Sequence, residues 1–146
     1  MKALSIKQPW VWAIFYRGKD IENRTRKNSF RGHFLIHASK KVDMDTFGYW
    51  FGQDTEPAIV MPTGAIVGSA RITDCVTEHE SQWFEGPYGF VLKDLFMFQE
   101  PIECKGALGF WQVPPEIEAE ARIQAEQGDP RVPRFKYALK RPPEDW

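Results

Sequence analysis

The sequence predicts an α+β fold: a small mixed β-barrel flanked by a few helices. Three observations predict it. Several short strand patterns lie at irregular spacing, with one early helix and one or two later ones. Aromatic residues make up 14% of the chain, which suits a small barrel filled by large side chains, or a site where planar groups stack. At 146 residues the chain fits one domain and leaves no room for two separate cores.

The elements follow in order. Residues 2–7 alternate and form a short strand. Pro9 suits the first position of a helix, where its missing N–H costs nothing. The helix spans Trp10 to Arg17, and Gly18 ends it in a left-handed conformation. Trp10, Val11, Ile14 and Phe15 form one apolar stripe, with Trp12 and Tyr16 beside it. Such a helix is buried or shares a wall with a ligand. Residues 19–26 form a strand whose face carries Glu22, Arg24 and Arg26, with Lys19 at the turn before. Asn28 to Gly32 is a loop, Gly32 to Ala38 a strong strand, and Val42 to Phe51 a short helix with Asp43 near its start. After a polar loop (53–64), residues 65–73 form a strand with a bulge expected at Gly68. The acidic loop Glu78 to Pro87 precedes a strand from Phe90 to Phe98. Pro101 and Gly106 mark a turn, and Ala107 to Val113 is the last strand. Pro114-Pro115 opens a largely polar helix from Glu116 to Gln127, closed by Gly128. With only Ile117, Ala121 and Ile123 as anchors, it reads as a surface appendage. A basic tail, Asp129 to Trp146, completes the chain.

Composition narrows the function classes. Apolar residues at 42% and charged residues at 27% exclude wholesale disorder and collagen-like structure. No apolar run approaches the roughly 20 residues that span a bilayer. The start of the chain lacks a signal-like apolar core, so a cytoplasmic protein with no membrane partner is expected. Cys75 and Cys104 are expected as free thiols. Neither they nor His33, His37 and His79 show metal spacing, so no zinc site is expected. His37 reads as a satisfied core or rim histidine. Walker-type, Gly-x-Gly-x-x-Gly and Gly-x-Ser-x-Gly motifs are absent, and no cofactor is expected. The net charge is −1, but residues 1–41 hold ten basic and two acidic side chains, and residues 42–130 hold four and sixteen. A basic N-terminal third suits a phosphate-bearing partner, unless acidic segments fold against it and cancel its field.

The strongest local signal is Gly18-Lys19-Asp20-Ile21-Glu22-Asn23-Arg24. Lys19 and Arg24 can hold phosphate oxygens, Arg24 through its planar fork and Lys19 as a point charge. Glu22 between them can act as a general base. The competing reading is a surface ion-pair cluster of little energetic weight.

Four segments then carry a likeness. They are Leu4-Ser5-Ile6-Lys7-Gln8-Pro9-Trp10; Gly18-Lys19 through Glu22 and Arg24; Arg31-Gly32 through Ile36-His37-Ala38; and the pair Pro87–Leu92 and Lys105–Phe110. Together they resemble the ASCH domain of the PUA-like superfamily over about residues 3–113, with residues 114–146 appended to the same domain. The resemblance implies a β-barrel with a cleft near the Gly-x-Lys-x-x-Glu-x-Arg signature and RNA, single-stranded or carrying a modified nucleoside, as the partner. Lys19, Glu22 and Arg24 become the candidate catalytic residues. Lys7, Gln8, Trp10, Trp12, Arg26, Tyr88 and Lys105 become candidate RNA contacts, with Trp10, Trp12 and Tyr88 as stacking surfaces. Some members resemble single-strand ribonucleases, and in that reading Glu22 takes the 2′-OH proton. Another branch hydrolyses 4-acetylcytidine with a Lys, a Thr three positions later and a Glu. Here Glu22 stands where that Thr would be, so acetylcytidine hydrolysis is not expected unless another hydroxyl, such as Ser5 or Thr25, approaches. A binding module is the first reading, a ribonuclease the second and the amidohydrolase the alternative.

Overall fold

The computed structural model describes residues 1–127. The helix stop at Gly128 and the basic tail 129–146 lie outside the described residues. The elements are β1 (Lys2–Gln8), α1 (Trp10–Tyr16), β2 (Ile21–Arg24), β3 (Gly32–Val42), α2 (Met44–Phe51), α3 (Pro57–Val60), β4 (Ala65–Val76), β5 (Tyr88–Glu103), β6 (Phe110–Gln112) and α4 (Pro115–Gln127). The strands form one six-stranded sheet in the order β2-β5-β4-β3-β1-β6. β1 and β3 run parallel and the other neighbours antiparallel.

The fold is mixed α+β, as the sequence predicts, but among the described residues the hydrogen-bonded ladder does not close into a barrel. β2 and β6 lie at its two ends. The sheet curls until side chains bridge those ends. Arg24 Nη2 on β2 donates to Ser5 O on β1 at 2.9 Å, and Phe90 on β5 stacks on Phe110 on β6 with centroids 6.0 Å apart. Three-residue β6 is too short to continue the ladder across the gap.

The alternation of β1 divides the core. Leu4 and Ile6 join Val11 and Ile14 of α1, Ile36 and Phe34 of β3 and Phe90 of β5 on one face. Ala3 joins Leu35, Ile66, Phe98 and Ala121 on the other. α1 is apolar nearly all round because it is covered twice. Its outer side, with Trp12 and Ala13, packs on Phe47 of α2 and on Val60 and Met61 around α3. Side chains of this size contribute about 1.5–3 kcal/mol each when fully buried.

Several boundaries differ from the sequence reading, each for a local reason. Pro9 is the N-cap residue of α1 rather than its first helical residue, and Gln8 Oε1 accepts the Trp12 N–H in place of a cap side chain. Asp43 caps α2, accepting from Thr46 N at 3.2 Å, so the helix starts after it. The proline-bearing loop contains α3, with Pro57 in its first turn. β5 continues past Pro101, since Ile102 and Glu103 still pair with β4 beyond an irregular stretch. The ladder shifts register beside Gly68, where a bulge was expected. α4 is more than an appendage. Ala121 is 1% exposed in the second core cluster, Gln124 accepts Gln99 N–H, and the terminal amine pairs with Glu118 at 2.8 Å.

Candidate functional site

α1 ends where the signature begins. Gly18 adopts φ +72°, a conformation side chains resist, and the chain reverses there. The Lys19 N–H then returns to Ala13 O at 3.1 Å. This turn drives Lys19 inward. A surface ion-pair cluster is the competing reading of these residues, but Lys19 is 3% exposed. Its Nζ donates to Ile21 O and to Glu22 Oε1, and sits 5.5 Å from the centroid of the Trp10 ring. Arg24 Nε and Nη2 grip the other carboxylate oxygen, Oε2, at 3.0 and 2.9 Å. Lys19, Glu22 and Arg24 are therefore brought together. Lys19 and Glu22 are buried and Arg24 is half-buried at the cleft, so they form a chain of charges running inward rather than a surface cluster, and both oxygens of Glu22 carry a cationic partner.

The residues between them clamp the acidic loop. Asn23 donates to Trp83 O and accepts from Glu85 N and Gly86 N. Asp20 accepts from Ser81. Their regular spacing in a charged run gave no sequence signal for this task.

A cleft of about 1160 Å³ opens beside this cluster, between β2, the ends of β1 and β3, and the 103–109 connection. Its lining carries Lys7, Arg24, Lys40, Lys41 and Lys105 against two carboxylates, Glu22 and Glu103. The four lysines are exposed. Lys40 and Lys41 reach the cleft through a bulge: Ile6 pairs with Ala38 but Gln8 pairs with Val42, so residues 39–41 loop out. Only that register reveals their role.

The floor holds a neutral network. Ser5 and His37 are partners in the parallel ladder. Ser5 Oγ lies 3.0 Å from His37 Nδ1, His37 Nε2 lies 2.7 Å from Cys104 O, and Trp111 Nε1 donates to Ser5 Oγ at 3.1 Å. Burial pushes the His37 pKa below its usual value, against the opposing pull of the Cys104 carbonyl. His37 is thus the buried histidine the sequence suggested, but it also lines the cleft.

The remaining candidates divide. Trp10 is half-buried on the cleft wall, its Nε1 bound to Asp43 at 3.2 Å and its ring edge-on to Trp50 at 5.2 Å. Burial pushes the Asp43 carboxyl up, but hydrogen bonds from Thr46 and Trp10 and the charge of Lys7 outweigh it and hold it below its usual value. Behind Trp10 lies a smaller hollow of about 410 Å³, walled also by Trp50 and Trp83. Two expected contacts are corrected by burial. Gln8 is 1% exposed, with its amide spent on Pro62 O and Trp12 N, and Trp12 is 4% exposed within the core. Tyr88 pairs opposite Arg24 in the ladder and Arg26 is exposed, and neither lines the cleft.

The site is a lysine-rimmed cleft beside the signature, set in an open mixed sheet. The ASCH domain matches residues 4–122, and the chain belongs to that family. It is similar to the human activating signal cointegrator 1, with 25% identity over 136 residues. The alignment takes in 82% of this chain but 23% of the human protein. Its fold is similar to that of a serine-to-alanine variant of the ASCH protein from Zymomonas mobilis, with a TM-score of 0.51, 16% identity and coverage of 82% of this chain and 92% of that one.

Proposed function

We propose that the cleft binds single-stranded RNA, the partner class associated with the ASCH family. The observation that carries this is the lining: five cations face two carboxylates, one of which is already paired. Exposed lysines meet phosphates along a strand without ordering cost to the fold. Trp10 supplies an aromatic surface on the wall, and an unpaired base has a π-face to offer it.

The same geometry favours binding over strand scission. A general base needs a free lone pair aimed at the substrate hydroxyl. Glu22 is 7% exposed and held through Oε1 by Lys19 and through Oε2 by Arg24, so little of it is presented to a substrate hydroxyl and it serves to orient Arg24 toward the cleft. The test is fluorescence anisotropy with a labelled single-stranded RNA at increasing salt, with gel analysis of the same strand. Binding should weaken by about 0.7 log units per log unit of salt for each phosphate contacted. A flat salt response would overturn the proposal, and cleavage lost in Glu22→Gln would replace it with the ribonuclease reading.

A further inference from the structure

The Ser5–His37 pair is not used by the binding site just described. The roles of its atoms are fixed by partners that have no alternative. The Cys104 carbonyl can only accept, so His37 Nε2 carries the proton. In the neutral ring, Nδ1 is then a bare acceptor. The Trp111 indole can only donate, so it occupies a lone pair of Ser5 Oγ and leaves the hydroxyl proton for His37 Nδ1. The outcome is a serine hydroxyl aimed at an imidazole base, which is held in one tautomer by a third group.

The pair also opens onto ligand space. Ser5 is half-buried, and both residues line the cleft. The backbone of Gly106 packs directly against the pair: a Cβ there would stand 2.6 Å from Ser5 Oγ and 2.7 Å from His37 Nδ1, so only glycine fits at this position. The Arg24 guanidinium is anchored on the backbone carbonyl of Ser5 and lines the same cleft.

We infer that Ser5 Oγ is a nucleophile, with His37 Nδ1 as its base, toward carboxylic esters presented in the cleft. Oγ bonds to the acyl carbon while its proton passes to Nδ1. The bond from that carbon to the alcohol oxygen breaks, and the departing oxygen takes the proton from Nδ1. Water then attacks the acyl-serine with Nδ1 again as base, releasing the acid and restoring the hydroxyl. Esters fit better than amides because the imidazole leans on a neutral carbonyl rather than a carboxylate. The imidazolium is less stabilised, and an amine needs it more than an alkoxide does. That the ester is carried on a nucleotide rests on the proposed RNA reading; the nucleophile itself does not.

The experiment uses the full chain and a nucleotide-free fluorophosphonate probe, with peptide mass spectrometry. One adduct should form on Ser5. It should be absent in Ser5→Ala and form about 10²-fold more slowly in His37→Gln, the usual size of a general-base contribution. Thermal unfolding checks each variant. If His37→Gln does not fold, Trp111→Phe keeps the ring and loses the N–H, and should slow the adduct about tenfold, the size of one hydrogen bond. No adduct on Ser5 of the folded wild type overturns the inference, as does an adduct indifferent to the folded variants. Saturating single-stranded RNA should slow labelling. Labelling unaffected by RNA would remove the nucleotide carrier and leave the ester chemistry standing.

Discussion

Two sets of positive charge flank one cleft, and they differ in what they face. Lys19 and the signature are turned inward. Lys19 is 3% and Glu22 7% exposed, and each is engaged by groups of the protein. Lys40, Lys41, Lys7 and Lys105 are turned outward and exposed on the rim. A buried charge must be paired, because desolvation costs more than an unpaired interior site returns. An exposed lysine has no such obligation and stays available for a ligand. Lys19 and Glu22 of the signature thus build the cleft wall and hold Arg24 in its lining, while the exposed lysines stand outside the signature.

The largest effect should come from breaking the inner set. Glu22→Ala leaves Lys19 buried without its carboxylate, and the loss should be about 3–5 kcal/mol. Urea denaturation measures it, and a loss below about 1 kcal/mol would mean that the charges are screened by water. Lys19→Ala should also destabilise, contrary to what an exposed lysine would do.

Neighbouring tryptophans of α1 offer a second contrast. Trp12→Ala should cost about 3–5 kcal/mol, since Trp12 is 4% exposed and packs on Phe51 and Tyr16. Trp10→Ala should cost less stability and more RNA affinity. Equal effects on both quantities would show that the two rings share one role.

His37 adds a pH dependence. Its folded pKa lies below the unfolded value of 6.5, so the unfolded chain binds the proton more readily. The contribution is complete above about pH 6.5 and lost as pH falls from there toward the folded pKa, with a slope of at most about 1.4 kcal/mol per pH unit. Denaturation midpoints at several pH values, compared with His37→Gln, check this. A slope unchanged by the substitution would assign it elsewhere.

The smallest effect on the fold should come from the rim. Lys40→Glu with Lys41→Glu should change stability by less than about 0.5 kcal/mol. The salt slope of RNA binding should drop by about 0.7 for each phosphate contact removed. Full affinity and an unchanged slope would place the RNA elsewhere.

Much of this was legible locally. The strand-helix order, the stop at Gly18, the cap region at Asp43 and the grouping of Lys19, Glu22 and Arg24 all follow from neighbours in the chain. Gln8 and Trp12 misled because a polar residue and an indole beside a signature suggest contacts. Their burial depends on Pro62 and Phe47, which are about 35 to 55 positions away. α4 misled for the same reason. Its few apolar residues, Ile117 and Ala121, suffice because they meet a prepared surface around Phe98 and Leu35.

By itself the sequence determined the α+β class and the identity of the charged trio, because alternation, capping and i to i+2 spacing act over a few residues; the family came from the resemblance of four segments. Only the tertiary structure decided that Lys19 is buried, that Lys40 and Lys41 reach the cleft, and that Ser5 meets His37. The first depends on how the turn at Gly18 packs beneath Trp10, and the other two on strand register, which is set by where distant strands find their partners. The Ser5–His37 contact requires the parallel pairing of β1 with β3, and its tautomer requires a carbonyl that β5 delivers at Cys104. No local propensity encodes a distance between residues 32 and 67 positions apart.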